Sequence, residues 1–256
     1  HLRTEFAAIL DAMDEAYRVG KHARVPVVIS HLKCAGAANW GRAGEVLESI
    51  EGAQRYQPVG CDCYPYTASS STLDLKQVTD EFDIFITWSE PEAGMAGQTL
   101  KEIAAAWGTD LMDAARRLQP AGAVYHNMSA QDLDRIITHP ATVIGSDGLP
   151  NDPKPHPRLW GAFPRVLGYY SRERKLLSLA AAIRKMTGQS AERFGLTERG
   201  LVREGYWADL VPAAGIAAVW VNGHLSYQDG AVQPHRAGRF LKRGPRAHAA
   251  VTAEIH

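Results

Sequence analysis

The sequence predicts an α/β protein built on parallel strands, of the kind that makes up part of a (β/α)8 barrel. Short apolar runs rich in β-branched residues alternate along the chain with longer runs of helical spacing. Three apolar runs end in polar or ionisable residues, and parallel strands bring such ends to one mouth of a barrel, where catalysis takes place. Beyond Gly195 the pattern changes to short β-type pieces, which indicates a small β subdomain.

The three apolar runs are predicted to be buried parallel strands, over residues 25–31, 59–64 and 141–144. The last run leads into Gly145-Ser146-Asp147-Gly148, so Asp147 is expected to point into the mouth of the barrel. The alternative is an Asp-Gly turn without a functional role. Apolar residues at helical spacing predict helices over 4–20 and 39–53.

Between the second and third strands the pattern is less regular. It predicts a loop of small hydroxyl residues at 67–72, one strand at 82–88 and one short apolar piece at 124–126. It also predicts three helices, at 98–107, 109–118 and 130–138. This stretch is longer than one crossover needs, so an insertion over about 73–140 is expected to cover part of the mouth. Three prolines within 151–160 predict a stiff extended loop that holds Arg158 in a fixed direction.

The remainder of the chain is predicted to contain two helices and a small β subdomain. The helices are expected at 178–187 and 190–194, and the β pieces at 206–211, 217–221 and 224–227. Asn222-Gly223 between two of these pieces is a hairpin signal. The expected domains are therefore a barrel part over 1–195, a β subdomain over 196–245 and a flexible tail over 246–256.

Composition excludes several classes of protein. Lys and Arg balance Asp and Glu at 28 each in 256 residues, which gives no basis for a nucleic-acid or membrane partner. Three cysteines do not make a disulfide framework, and with no signal peptide visible we expect a reducing, cytoplasmic location. The sequence starts at His1 without a methionine, so we expect an N-terminal portion of the same protein to be missing.

Several ionisable side chains are expected at the strand ends, namely His31, Lys33 and Asp147, with His1 joining them if a strand precedes it. Two histidines from neighbouring strand ends can bind zinc, which lowers the pKa of a bound water toward neutrality. A nearby carboxylate can then take the proton of that water and pass it to a leaving nitrogen. Each residue also has a plainer interpretation: His31 as a structural histidine, Lys33 as a solvated charge, and Arg158 as a surface residue. His126 is a further candidate that could reach the mouth.

Several motifs together resemble the D-aminoacylases, which are N-acyl-D-amino-acid deacylases of the amidohydrolase superfamily. The matching segments are Ile29-Ser-His-Leu-Lys33 with Asn39-Trp-Gly-Arg42, Asp62-Cys-Tyr-Pro-Tyr66 with Ser69-Ser70, Ile144-Gly-Ser-Asp-Gly148 with His156-Pro-Arg158, and the closing segments Arg184 to Gly188, Gly205 to Leu210 and Val219 to Gly223. The likeness covers most of the chain and corresponds to the C-terminal half of such an enzyme. It implies part of a metal-dependent, amidohydrolase-like (β/α)8 TIM barrel, followed by strands of a small β-sandwich subdomain.

The resemblance also implies roles for individual residues. His1, His31 and Asp147 resemble metal ligands for one or two Zn²⁺ ions, and Asp147 resembles the general base and acid. Positions that hold the substrate are matched by Lys33, Tyr64, Ser70 and Arg158. The earlier metal ligands of such enzymes, a His-x-His pair and a cysteine, have no counterpart in this sequence.

The function implied is zinc-dependent hydrolysis of the amide bond of N-acyl-D-amino acids, giving a carboxylate and a D-amino acid. One alternative keeps the superfamily but changes the substrate to a cyclic amide, as in a D-hydantoinase. A second alternative is a non-catalytic fragment whose fold another polypeptide completes. Zinc content and a substrate panel separate the three.

Overall fold

The structure is a computed structural model that describes residues 1–211 and 218–241. The chain divides into two compact units, His1–Leu177 and Ser178–His256, and each is described by itself. The tail predicted over 246–256 lies outside the described residues, as does Ala217 of a predicted strand.

The first unit contains six strands and six α-helices. The strands are β1 (Val27–Ile29), β2 (Val59–Cys63), β3 (Ser69–Thr72), β4 (Ile84–Ser89), β5 (Ala121–Tyr125) and β6 (Thr142–Ile144). The helices are α1 (Ile9–Ala23), α2 (Ala43–Gln54), α3 (Leu100–Trp107), α4 (Leu111–Leu118), α5 (Ala130–Thr138) and α6 (Arg158–Arg165), the last running on into π-helical turns over Val166–Glu173. Side-chain caps fix three helix starts, because Thr99, Asp110 and Ser129 each accept a hydrogen bond from a backbone N–H of the first turn.

One sheet is parallel, as the sequence predicts, with strand order β1-β2-β6. Its strands are largely apolar and buried. Helix α1 packs on β1, α2 on β2 and α5 on β6, and α2 also contacts both α1 and α5. The helix predicted over 4–20 begins only at Ile9. The residues before it, including Glu5, are therefore free to run toward the ends of the strands.

The second sheet is antiparallel, with order β3-β5-β4, and it has a core of its own beneath α3 and α4. The prediction of a loop over 67–72 is wrong, because Ser69–Thr72 pair with Tyr125–Gly122 as strand β3. Serines are poor strand formers, but β3 is an edge strand with two exposed residues, and β5 supplies its ladder hydrogen bonds. The sheet accounts for much of the segment predicted to be an insertion.

Arg158 does not lie in an extended loop, as the prolines suggested, but is the first residue of α6. Proline is well tolerated at the start of a helix because no intrahelical hydrogen bond needs its missing N–H. Pro157 therefore caps α6 rather than prolonging an extended segment. The guanidinium of Arg158 is 2% exposed, so the surface interpretation of this residue is wrong.

The second unit contains helices α7 (Leu179–Met186) and α8 (Gly188–Phe194) and an antiparallel sheet of β7 (Ala218–Val221), β8 (His224–Gln228) and β9 (Ala231–Val232). The predicted hairpin is confirmed: Asn222 and Gly223 connect β7 and β8 with φ of 49° and 79°, as a type I′ turn requires. Of the strand predicted over 206–211, only Leu210 pairs, in a single bridge to Trp220. In residues 1–211 and 218–241, no helix is both long and apolar enough to cross a membrane.

Candidate active site

The carboxyl ends of the parallel strands meet at one edge of the sheet. The Leu32 N–H donates to the Asp62 carbonyl at 2.8 Å, and the Gly145 N–H donates to the Cys63 carbonyl at 3.0 Å, so the chain stays paired just past the strands. His31 and Asp147 follow there with φ of 42° and 50°. Left-handed backbone is uncommon for residues other than glycine and concentrates at functional sites.

His1 and His31 face each other at this edge. Nδ1 of His1 lies 2.8 Å from Nε2 of His31, and the two rings meet edge to face with centroids 4.6 Å apart. One of these two nitrogens carries a proton and donates it in a hydrogen bond to the other. A metal ion between the rings would replace that proton, because both nitrogens point toward the same space.

Glu5 joins the buried side of His31. Its Oε1 lies 2.7 Å from Nδ1 of His31 and accepts a hydrogen bond of 2.6 Å from Nζ of Lys33, which also donates to the His31 carbonyl at 2.9 Å. Nζ of Lys33 also lies 2.8 Å from Nδ1 of His31. A proton on Nδ1 directed at the carboxylate would leave the lone pair of Nε2 for a metal, as metal-binding histidines require. Burial lowers the pKa of Lys33, and the charge of Glu5 opposes that shift. Burial would raise the pKa of Glu5, but His31 and Lys33 outweigh it and the pKa is lowered.

Breaking the Glu5–Lys33 ion pair from one side should therefore destabilise the protein strongly. Glu5→Ala leaves the Lys33 ammonium buried without its counter-charge, which costs about 3–5 kcal/mol for pairs of this kind. Adding Lys33→Met should restore most of the loss, because no uncompensated charge then remains. Urea unfolding measures the free energy of unfolding of both variants. The control is Glu15→Gln, which changes an exposed carboxylate paired with Arg3. Equal losses for Glu5→Ala and Glu15→Gln would contradict the prediction.

The arrangement supplies only part of a metal shell. Two imidazole nitrogens converge, and a carboxylate lies behind one of them, an arrangement that fits a zinc ion. Among residues 1–211 and 218–241, however, no three His, Cys, Asp or Glu side chains lie close enough to hold a metal together.

Asp147 is directed to Arg158 rather than to the histidines. Oδ2 of Asp147 lies 2.6 Å from Nη1 of Arg158 as an ion pair, and Nη2 of Arg158 donates to the Ser70 carbonyl at 3.2 Å. The guanidinium also stacks over the ring of Tyr64, with Cζ 4.6 Å from its centroid. Nε of Arg158 and Oγ of Ser70 are buried without a hydrogen-bond partner, and Nη1 of Arg158 is held by its ion pair with Asp147.

The predicted site residues thus form two adjoining groups. Lys33 lies with His1 and His31, whereas Tyr64, Ser70 and Asp147 surround Arg158. Nζ of Lys33 is 5.8 Å from the centroid of the Tyr64 ring and feels the charges of Asp147 and Arg158, which connects the two groups. The role of Asp147 as a metal ligand stays a prediction.

Three residues with a place in this network escaped the sequence analysis as site residues. Glu5 is hydrogen-bonded to Lys33, Asp62 accepts the His31 N–H at 2.8 Å, and His156 accepts the Arg158 N–H at 3.0 Å. Asp62 could have been found, since a carboxylate inside an apolar strand is a signal in itself. A side chain on Gly145 would meet the Asp62 carboxylate at 2.9 Å, so glycine is needed there.

His156 is a buried neutral histidine next to Arg158. Burial, and then the charges of Arg158 and His126, lower its pKa from 6.5 to about 4. Its ring Nδ1 accepts the backbone N–H of Arg158, and its ring meets Tyr66 edge to face at 5.2 Å. It is therefore a fixed acceptor that holds the first turn of α6.

Acid should destabilise the protein through this histidine. Below pH 6.5 the unfolded chain takes up a proton that the folded chain refuses until about pH 4, so stability falls as the pH drops through this window. The loss attributable to His156 is at most about 3 kcal/mol. His156→Asn keeps an acceptor for the Arg158 N–H and cannot be protonated, so its stability relative to the native protein should rise between pH 6.5 and 4. Urea unfolding at several pH values measures the difference; a difference independent of pH would contradict the argument.

Comparison with known proteins identifies the family. A model described as the amidohydrolase family matches residues 13–214, and the chain belongs to this family. Three curated relatives from Alcaligenes xylosoxydans xylosoxydans are each 44% identical over 95% of this chain: a D-aminoacylase, an N-acyl-D-glutamate deacylase and an N-acyl-D-aspartate deacylase. The chain spans about half the length of these relatives, 53–54%.

Solved structures agree with this assignment. A crystal structure of D-aminoacylase superposes with a TM-score of 0.90 at 44% identity, over 95% of this chain and 55% of the other. A second D-aminoacylase structure superposes with a TM-score of 0.89 at 44% identity, over 94% of this chain and 55% of the other. That structure concerns a binuclear metal centre with one-metal activation and second-metal attenuation. The N-acyl-D-glutamate deacylase of Bordetella bronchiseptica, complexed with zinc and a phosphonate mimic of the tetrahedral intermediate, gives 0.87 at 40% identity, again over 95% and 55%. The α/β chain therefore has the fold of this family.

Proposed function

We propose that the residues described here belong to a zinc-dependent deacylase that hydrolyses N-acyl-D-amino acids to a carboxylate and a D-amino acid. The observation that carries this proposal is the side chain of Arg158, which is 2% exposed and whose Nε is buried without a hydrogen-bond partner. Unpaired buried donors are costly, and such a cost persists where a ligand repays it. A carboxylate is the ligand whose two oxygens match a guanidinium.

The substrate carboxylate would bind between Arg158 and Ser70. The Oγ of Ser70, which is buried without a hydrogen-bond partner, would be a second donor to this carboxylate, and the Ser70 carbonyl accepts a hydrogen bond from Nη2 of the guanidinium. Tyr64 lies beneath the guanidinium and Lys33 beside Tyr64, so both are close enough to bind polar groups of the substrate. Burial raises the pKa of Tyr64, which keeps its hydroxyl a hydrogen-bond donor.

His1 and His31 would hold the metal, with Glu5 fixing the tautomer of His31. Zinc bound there would lower the pKa of a water and polarise the scissile carbonyl. Asp147 would accept the proton of that water and give it to the departing nitrogen. Its contact with Arg158 holds its carboxylate near the space proposed for the substrate.

A cyclic amide such as a hydantoin has no free carboxylate for Arg158, so the linear substrate is the better fit. The experiment is a panel of N-acyl-D-amino acids, their L-enantiomers and hydantoins, assayed together with zinc content by mass spectrometry. Hydrolysis of D-substrates alone, with one or two zinc ions bound, is the expected result. Hydrolysis of hydantoins alone would replace the proposal with a cyclic amidase, and a preparation that binds no zinc and no substrate would favour a non-catalytic fragment.

The remaining expectations fit the same proposal. The parallel sheet would be part of a (β/α)8 barrel, and the hairpin of the second unit part of a small β-sandwich. All three cysteines are buried and outside any disulfide, which is compatible with the reducing, cytoplasmic location predicted from the sequence. The partner would be a small N-acyl-D-amino acid, with neither nucleic acid nor membrane involved.

A further inference from the structure

Two residues of the site have a backbone conformation that is unfavourable for residues other than glycine. His31 follows β1 and Asp147 follows β6, and their φ angles are 42° and 50°. Strand β2 lies between β1 and β6 in the parallel sheet. A conformation of this kind persists where neighbouring groups hold it in place. For His31, the groups that do so come from β2.

Asp62 of β2 holds the backbone on both sides of the His31 Cα atom. Its side-chain Oδ1 accepts the N–H of His31 at 2.8 Å, and its backbone carbonyl accepts the N–H of Leu32 at 2.8 Å. These N–H groups belong to the two peptide units that flank the His31 Cα atom, so holding both restricts its φ and ψ. The direction of the imidazole depends on that backbone conformation, and with it the approach of Nε2 to Nδ1 of His1.

The same carboxylate lies against the segment that leads to Asp147. A Cβ atom on Gly145 would come within 2.9 Å of Oδ1 of Asp62, so the Gly145 backbone packs directly on the carboxylate. The Gly145 N–H donates to the carbonyl of Cys63, next to Asp62, at 3.0 Å. The Asp62 carboxylate therefore lies between the segment that carries His31 and the segment that carries Asp147.

The charge of Asp62 also needs an explanation, because a partly buried carboxylate is a costly acceptor for a backbone N–H. Burial raises the pKa of Asp62, and the hydrogen bond from the His31 N–H opposes this shift. A hydrogen bond to a carboxylate is stronger than one to a neutral acceptor. That strength is useful where a histidine in an unfavourable conformation must keep a fixed direction.

We propose that Asp62 is a positioning residue for metal binding, which holds the His31 backbone so that the imidazole is directed to a zinc ion shared with His1. The inference rests on the proposed function, which makes His31 a metal ligand. Loss of the Asp62 side chain should weaken zinc binding without removing a ligand. Asparagine keeps an acceptor for the His31 N–H, so it should replace Asp62 with little effect.

The test is the affinity of the full chain for Zn²⁺, measured by competition with a chromophoric chelator, together with the visible spectrum of the Co²⁺-loaded protein. Asp62→Ala should weaken zinc binding by about 10- to 100-fold, the range known for groups that orient metal ligands, and should change the cobalt spectrum. Asp62→Asn should keep most of the zinc affinity and a native cobalt spectrum.

The matched control is Asp132→Ala, at a buried carboxylate that also accepts backbone N–H groups. Asp132 accepts the N–H of Gly41 at 2.7 Å and that of Ala43 at 3.1 Å, and so holds the start of α2. Its loss should lower the free energy of unfolding in urea and leave zinc affinity unchanged. A purely structural role of Asp62 would give the same result.

A second variant displaces the carboxylate without removing it. Gly145→Ala places a methyl group against Oδ1 of Asp62 and should also weaken zinc binding. In the double variant with Asp62→Ala the two losses should not add, because the carboxylate that the methyl group displaces is already absent. Gly52→Ala, which adds a methyl group in open space on α2, is the control and should leave zinc affinity unchanged.

Native zinc affinity in Asp62→Ala, or additive losses in the double variant, would overturn the assignment and leave the proposed function in place. Equal losses in Asp62→Asn and Asp62→Ala would also overturn it, because the charge rather than the hydrogen bond would then be required. If Asp62→Ala does not fold, native zinc affinity in Gly145→Ala would overturn the assignment by itself. If the native chain binds no zinc, the proposed function fails and the assignment fails with it.

Discussion

Asp147→Asn should lower kcat by about 10²- to 10⁴-fold, the range that a positioned general base or acid contributes. The amide of asparagine occupies the same space and can still contact Arg158, but it can neither accept the proton of a water nor donate one to the departing amine. Zinc should remain bound, since His1 and His31 are unchanged. The variant should therefore separate loss of turnover from loss of metal.

The measurement pairs steady-state kinetics with zinc content on the holoenzyme. Asp14→Asn is the control, because this carboxylate pairs with Arg18 on the exposed surface of α1 and should leave kcat unchanged. Full activity in Asp147→Asn would remove this residue from the mechanism. A fall in zinc content that matches the fall in kcat would instead make Asp147 chiefly a metal ligand.

The parallel sheet could be predicted because its signal is local. Each of the three strands is a short apolar run with turn residues after it, so the hydrophobic pattern alone indicated β1, β2 and β6 and the polar residues at their ends. Strand β3 has no such signal. Its serines form a strand only because β5, some fifty residues further along the chain, pairs with them.

The site could be predicted only where a residue follows a recognisable element. His31 and Asp147 do so, whereas Glu5 gains its role by contact with His31 and Lys33 across 26 to 28 residues. Arg158 was recognised as a site residue, but its setting was not: the prolines before it suggested an extended loop, and the buried start of α6 depends on tertiary packing. Local pattern and the family resemblance thus pointed to the candidate side chains, and their partners required the fold.

Arg158→Lys should weaken binding of N-acyl-D-amino acids by roughly 10- to 100-fold, the worth of one or two hydrogen bonds to a charged group. Lysine keeps the positive charge but replaces a planar fork with a point charge, so it cannot bind both oxygens of a carboxylate in one plane. It also cannot span the distance from Asp147 to the Ser70 carbonyl with two nitrogens, as Arg158 does. The effect should fall on KM more than on kcat, because the carboxylate is bound alike in the substrate and the transition state.

The decisive comparison is between each substrate and its analogue without the carboxylate, an N-acyl amine. If Arg158 binds the carboxylate, the analogue should bind native and Arg158→Lys protein equally weakly, because the interaction is already absent. Arg117→Lys is the matched control, since this exposed arginine stacks on Trp107 with its Cζ 4.0 Å from the ring centroid, away from the site. An equal loss of affinity for the substrate and its analogue would mean that Arg158 supports the structure around Asp147 and Tyr64, and the carboxylate would need another binding group.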